Sequence, residues 1–150
     1  MSDWKLRPAT PDDLEPLVEI RAVVMRPDLE RLGRYDAERV RQRLRDAFVP
    51  ANTQVIEVSS ALAGCVALRR AEDGLWLAHF LLAPDCQGTG IGSAVLREVL
   101  SHCDAEGATV RLNVLQGSPA LRLYERHGFT LESQDPIDVY LLREPRHRVG

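Results

Sequence analysis

"LLAPDCQGTGIGSAVLREVL", residues 81–100, passes from an apolar run through glycines at 88, 90 and 92 into a stretch with helical periodicity. The apolar run reaches back through "LWLAHFLLA", residues 75–83, and is interrupted only by His79, a pattern that fits a central strand covered on both faces. Downstream, Ile91, Val95, Val99 and Cys103, with Leu96 and Leu100 beside them, repeat every 3.6 residues. A strand end, a glycine turn and a helix start therefore meet within a few residues. Such a junction turns free backbone N–H groups toward one point, and the helix dipole makes that point attractive to an anion. Its natural guest is a phosphate or a diphosphate.

Two known phosphate loops do not fit. A nucleotide-triphosphate loop needs GxxxxGK[ST], and no lysine follows these glycines. A dinucleotide fingerprint GxGxxG meets Ser93 in one phase and Val95 in the other, and too little chain follows for a full dinucleotide fold.

Working outward, "WKLR" (4–7) reads as a strand. "TPDDLEPLVEIRAVVM" (10–25) reads as a helix opened by Thr10, Pro11 and Asp13, with Leu14, Leu17, Val18, Ala22 and Met25 on one face. A second helix starts near Asp36, with Val40, Leu44, Ala47 and Phe48 inward. "TQVIEV" and "ALAGCVALRR" are strands joined at Ser59-Ser60, and "EDG" turns the chain into the central strand. After the glycine-led helix come the strand "TVRLNVL", the helix "SPALRLYERHG" from Ser118 to its stop at Gly128, and the strands "FTLES" and "IDVYLLR". This order predicts an α/β fold with a mixed sheet of about seven strands and about four helices, forming one domain over residues 1–150.

Composition narrows the function classes. A 45% hydrophobic content marks a globular chain, and a net charge of -3 gives no basic footprint for nucleic acid. No apolar run approaches a membrane span of about 20 residues, and "MSDWKLRPATPDD" lacks the hydrophobic stretch of a secretory signal. Cys65, Cys86 and Cys103 are odd in number without CxxC spacing, so neither a disulfide framework nor a zinc site is favoured. The expectation is a cytoplasmic protein without metal, nucleic-acid or membrane partners.

Gln87-Gly88-Thr89-Gly90-Ile91-Gly92 resembles the [QR]xxGx[GA] diphosphate loop of the GNAT superfamily of acetyl-CoA-dependent N-acyltransferases. Pro84-Asp85-Cys86-Gln87 resembles that family's approach to the loop. Ser118–Phe129, "SPALRLYERHGF", resembles its NPAxxLYExxGF segment at the expected distance downstream, and Gly64 stands where members often carry glycine. "MRPDLERLGRYD" (25–36) is similar to a subset of bacterial members. Ser118 replaces the usual Asn, and Cys86 the usual Tyr or Phe.

The resemblance implies a GNAT-like fold and transfer of acetyl from acetyl-CoA to a primary amine of a small molecule, peptide or protein. The alternative is a non-catalytic CoA-binding sensor or interaction module. By resemblance, the fourth strand splays from its parallel neighbour at a bulge, and Leu81 and Leu82 offer main chain to the thioester and its pantetheine arm. Residues Gln87 through Ser93 and Ser118 would hold the cofactor. Tyr124 matches the family's general-acid tyrosine, protonated at pH 7 and near the leaving thiolate; its structural alternative is a packed tyrosine with a wet hydroxyl.

His79 is a base candidate by residue type and also a candidate acceptor contact, against the alternative of a core histidine satisfied by a carbonyl. Glu57, Asn113 or a water chain are equal candidates for the base, and Asn113 also for acceptor binding. Arginines 21, 26, 31, 34, 39, 41, 43 and 45 suggest an acceptor clamp. Those at 39/43 and 41/45 have the i,i+4 spacing of a solvated face with nearby acids. Arg26 and Arg34 fall in the segment that walls the acceptor site in the family, where a guanidinium could fork onto a substrate carboxylate. A homodimer through the C-terminal strands is common among relatives.

Overall fold

The computed structural model describes residues 3–146. Its strands are β1 (Trp4–Pro8), β2 (Thr53–Val58), β3 (Ala61–Ala71), β4 (Gly74–Leu82), β5 (Val110–Leu115), β6 (Thr130–Gln134) and β7 (Asp138–Arg143). Its helices are α1 (Leu14–Arg31), α2 (Ala37–Ala47), α3 (Ile91–Ala105) and α4 (Ala120–Arg126). Chain order, strand number and helix number follow the sequence expectation. The sheet order is β1-β2-β3-β4-β5-β7-β6, with β4 and β5 parallel and the pairs β1/β2, β2/β3, β5/β7 and β6/β7 antiparallel. The chain forms two compact units, one holding the chain up to Leu68 with Ala78–Ile91, the other Arg69–Leu77 with the chain from Gly92 onward.

In the first unit an arginine clasp fixes where α1 starts. Arg7 on β1 donates to Glu57 (2.7 Å) and through both Nη atoms to Asp13 (2.9 Å each), while the Thr10 amide donates to the same Asp13 carboxylate at 2.7 Å. The guanidinium lowers the Asp13 carboxyl to about 2. Leu17 and Val18 of α1 then pack with Leu44 of α2, Cys65 of β3 and Leu81 of β4. Asp36 caps α2 by accepting from the Glu38 and Arg39 amides. Arg41–Glu19 (2.7 Å) and Arg45–Glu15 (2.8 Å) lace α2 to α1 along their solvent side, as the i,i+4 spacing suggested.

One boundary differs from the reading. α1 does not stop at Met25 but runs through Pro27 to Arg31. Proline in a helix frees the carbonyl four residues earlier, here that of Val23, a residue 57% exposed, so water can satisfy it. The segment expected to wall a site between two helices is therefore largely helix.

In the second unit Val95, Leu96, Val99, Leu100 and Cys103 form the buried stripe of α3, and Val110, Leu112, Val139 and Leu141 are buried on β5 and β7. Arg143, 4% exposed, grips Asp104 with two bonds of 2.7 and 3.1 Å and donates to the His127 carbonyl at 2.9 Å, tying the ends of α3, α4 and β7. The outer strand β6 is exposed along its whole length.

Candidate active site

The loop after β4 is built to keep its backbone bare. Pro84–Cys86 makes one 3-10 turn, and the Gln87 side chain donates back to the Leu82 carbonyl at 2.9 Å, closing the loop on its own strand. The Thr89 hydroxyl donates to the Cys86 carbonyl at 2.5 Å. Gly88 and Gly90 lie at φ +75° and +87°, the left-handed region that favours glycine, and a Cβ at either would meet nothing within 4 Å. Among the described residues their amides meet no acceptor. Ile91, 3% exposed, anchors the start of α3, whose 15 residues supply a full helix dipole. Left-handed turns, open space and unpaired N–H groups ahead of a long helix suit a diphosphate, so the residues present fit the nucleotide end of coenzyme A.

The end of β4 is shaped by Gly64. A Cβ there would lie 1.9 Å from the Leu81 carbonyl oxygen, so glycine is what lets β3 and β4 approach this closely. The Ala83 amide donates to the Ala63 carbonyl at 2.7 Å. Leu81 and Ala83 thus turn their backbone polar groups to β3, and the strand's alternation turns those of Leu82 to the opposite edge. On that edge the β4–β5 ladder covers only Leu75↔Val110 and Trp76↔Arg111, although β4 continues to Leu82. A register shift lies in β3, between the partners of Ile56 and Glu57.

His79 shares a strand face with Leu81, on the side packed by α1. Its Nε2 is buried without a hydrogen-bond partner. Burial, then the positive charge of Arg21, lower the imidazole to about 4, so it is neutral at physiological pH. Arg21 lies one turn beyond Leu17 and Val18 on α1 and donates through Nη1 to the Val40 carbonyl of α2. Arg26, the expected carboxylate fork, instead pairs with Glu30 (3.3 Å) and lies over the Tyr35 ring at 4.8 Å, on exposed helix. Arg34 is exposed in the turn after α1. Glu57 is held charged by Arg7, which lowers its carboxyl.

In the second unit Tyr124 is 7% exposed, edge-on to Phe129 with centroids 5.7 Å apart, and burial pushes its phenol well above the ordinary value. The Ser118 hydroxyl accepts from the Ala120 amide at 3.2 Å and so caps α4. Asn113 donates its Nδ2 to Asp138 at 3.0 Å. Ser93 and His127 share a 2.9 Å hydrogen bond on the wall of an open pocket of about 450 Å³ that Arg97, Arg126, Arg143 and Arg146 also line. Partial burial, then those arginines, lower the His127 imidazole.

One feature escaped the sequence reading, and a second, Arg21, was named there only as one of eight clamp arginines. The arginine-rich pocket is assembled from three separated segments, with no local signal. Arg21 did carry one: it stands in the i, i+3/i+4 stripe of Leu14, Leu17 and Val18, where an aliphatic residue is expected. Among the described residues no group of three or more potential metal ligands gathers, and no helix is long and apolar enough to cross a membrane.

Comparison with known proteins gives the same architecture. The PaiA N-acetyltransferase from Thermoplasma acidophilum, in complex with coenzyme A, superposes with a TM-score of 0.78 at 21% identity, over 95% of this chain and 99% of that one. Ard1 from Thermoplasma volcanium gives 0.73 at 19%, over 96% and 99%. The ribosomal-protein-S18-alanine N-acetyltransferase from Escherichia coli gives 0.69 at 16%, over 97% and 96%. At these identities the likeness is one of fold. No curated protein sequence matches. The family model of the acetyltransferase (GNAT) domain, however, matches residues 50–131, more than half of the chain, from β2 through the glycine loop and Tyr124. By that match the chain belongs to the GNAT acetyltransferases.

Proposed function

We propose that this protein transfers acetyl from acetyl-CoA to a primary amine of a small molecule, peptide or protein, by direct attack of the amine on the thioester. The observation that carries the proposal is the open glycine loop, left-handed at Gly88 and Gly90, feeding the N-terminus of α3.

When bound, acetyl-CoA supplies an acyl group activated as a thioester, whose leaving group is a thiolate. The amides of Gly88, Gly90 and the first turn of α3 (Ile91, Gly92, Ser93) hold the diphosphate, with Gln87 and Thr89 fixing the loop. The arginines beside Ser93 suit the remaining phosphate of the nucleotide. Leu82, whose N–H lies on the unladdered edge of β4, is the donor for the thioester oxygen, while Leu81 packs beneath. Ser118 sets the start of the helix that carries Tyr124.

Proton traffic then needs two groups. An amine with an ordinary pKa of about 10.4 must lose a proton before or during attack. His79 is neutral with an unpaired Nε2 and so is free to accept a hydrogen bond from the amine. The burial that lowers it to about 4 weakens it as a base and leaves water or Glu57 to share the proton, while Asn113 keeps its Oδ1 to orient the amine. Tyr124 keeps its proton throughout the physiological range and gives it to the departing sulfur; dryness that raises the phenol raises a thiol in the same surroundings.

The test is calorimetry with acetyl-CoA followed by free-thiol release across an amine panel, for the wild type and Tyr124→Phe. Heat of binding with amine-dependent thiol release supports the proposal. Binding with no release from any amine identifies a sensor module instead, and absence of heat removes the cofactor assignment.

A further inference from the structure

We infer that the acceptor amine carries a carboxylate, and that the Arg21 guanidinium binds it beside His79 where α1 crosses β4. The inference rests on the acetyl transfer proposed above and specifies its acceptor.

The apolar layer of the first unit ends at a polar pair. Leu17 and Val18 on α1 pack against Leu81 on β4 and Leu44 on α2. One helical turn on, the same stripe presents Arg21; two residues back along the same strand face stands His79. Leu17 and Val18 against Leu81 thus set the α1 position of Arg21 and the β4 position of His79 on facing elements, and the charge of Arg21 is felt at the imidazole.

Arg21 stands apart among the arginines. Five described arginines are not exposed: Arg7, Arg21, Arg41, Arg111 and Arg143. Four of them hold a carboxylate, on Asp13 and Glu57, on Glu19, on Asp73 and Glu132, and on Asp104. Among the described residues Arg21 has only the Val40 carbonyl. Its nearest charged influence is Arg43, another cation, and burial together with Arg43 lowers the guanidinium below its ordinary value. A half-buried guanidinium without a counter-charge is unfavourable, and an anion completes it. The planar fork left over is matched to a carboxylate, which can accept two parallel N–H bonds. His79 adds an unpaired Nε2 at the same place. An amine tethered to a carboxylate anchored at Arg21 would lie next to a neutral imidazole. The role that residue order suggested for Arg26 therefore passes to Arg21, one and a half turns earlier on the same helix.

The experiment compares matched acceptors at fixed acetyl-CoA: an amino acid, its carboxamide, its phosphonate analogue and the plain alkylamine. The wild type is expected to favour the carboxylate over the carboxamide by roughly 10- to 100-fold in kcat/KM, the range of charge-assisted hydrogen bonds. In Arg21→Gln that ratio should fall to within about threefold of unity, with acetyl-CoA affinity unchanged by calorimetry. Arg21→Lys, which keeps the charge but not the fork, should retain an intermediate ratio, and a native far-UV spectrum in either variant establishes folding. Equal use of acid and amide, a preference that survives in Arg21→Gln, or a phosphonate preferred over the carboxylate overturns the inference. The His79 ring signals in NMR give a readout that needs no turnover. Their displacement by the amino acid in the wild type and not in Arg21→Gln supports the carboxylate site even if no acetyl transfer occurs, so the two readings fail separately.

Discussion

Replacing Gly90 by alanine separates the loop's service to a ligand from its service to the fold. The residue sits at φ +87°, where an L side chain costs about 1–2 kcal/mol. Its Cβ would meet nothing within 4 Å, so no clash adds to that figure. Lower chain entropy in the unfolded state returns about 0.4–1 kcal/mol. The net loss of stability is thus at most about 1.6 kcal/mol, which lowers Tm by no more than roughly 3–6 °C in a chain of this size. The loop is exposed and can escape even that strain by turning φ negative, but doing so swings the Gly90 amide away from its partner's position. Each N–H bonded to a charged oxygen contributes about 1.5–3 kcal/mol, so losing one raises the Kd for acetyl-CoA by roughly 10- to 100-fold. Calorimetric titration and a thermal melt on the same preparation measure both numbers. A Kd within threefold of the wild type, whatever the melt shows, would refute the assignment of these amides to the diphosphate.

Gly64→Ala should behave in the opposite way, because its Cβ meets backbone at 1.9 Å and the strands must part. A cost of about 3 kcal/mol and a Tm drop of roughly 6–12 °C are expected, and a melt within 2 °C of the wild type would contradict the packing of β3 on β4. Tyr124→Phe should lower kcat by about 100-fold or more while leaving the Kd for acetyl-CoA unchanged; a loss of less than threefold would remove the general-acid role. The folded His79 imidazole titrates near 4 against about 6.5 unfolded, so its contribution is complete above pH 6.5 and is lost as pH falls toward 4, by up to roughly 3 kcal/mol. Chemical denaturation at pH 7 and pH 4.5 should show that slope in the wild type and a flatter one in His79→Gln. Asp13, lowered to about 2, loses its contribution only as pH falls below its ordinary 3.8, outside that window.

What was legible in the sequence was whatever local pattern controls. The run from Leu75 to Cys103 shows strand, turn and helix because β-pleat, glycine freedom and the 3.6 period each act over a few residues. The turn at Ser59-Ser60 was legible too, though both residues take positive φ (51° and 68°), as a two-residue hairpin turn requires. The end of α1 was not. Pro27 lies inside the helix, and the carbonyl it frees belongs to Val23, a residue 57% exposed, an exposure that the packed fold sets. Arg26 was misplaced by the same error, since a residue expected in a wall between helices lies instead on helix, tied to Glu30 and Tyr35.

Charge is where sequence reading is weakest, and the arginines of α1, α2 and the turn between them show why. Eight of them occur between residues 21 and 45, and their spacing alone makes each a candidate for an acceptor clamp. Partners sort them. Arg41 and Arg45 reach across to Glu19 and Glu15, Arg31 to Asp28, Arg26 to Glu30, all on surfaces where such pairs contribute a fraction of a kcal/mol. Only Arg21 combines withdrawal from water with the lack of a carboxylate, and those two properties are set by α2 and β4, not by its neighbours in sequence. A charge that the fold removes from solvent and leaves uncompensated is the point at which stability has been spent on something other than folding. For that reason Arg21→Leu should raise Tm even as it abolishes discrimination between acid and amide acceptors. A thermal melt and the acid-to-amide ratio of that variant test the argument together, and a fall in Tm with the ratio intact would place Arg21 in the framework rather than in the acceptor site.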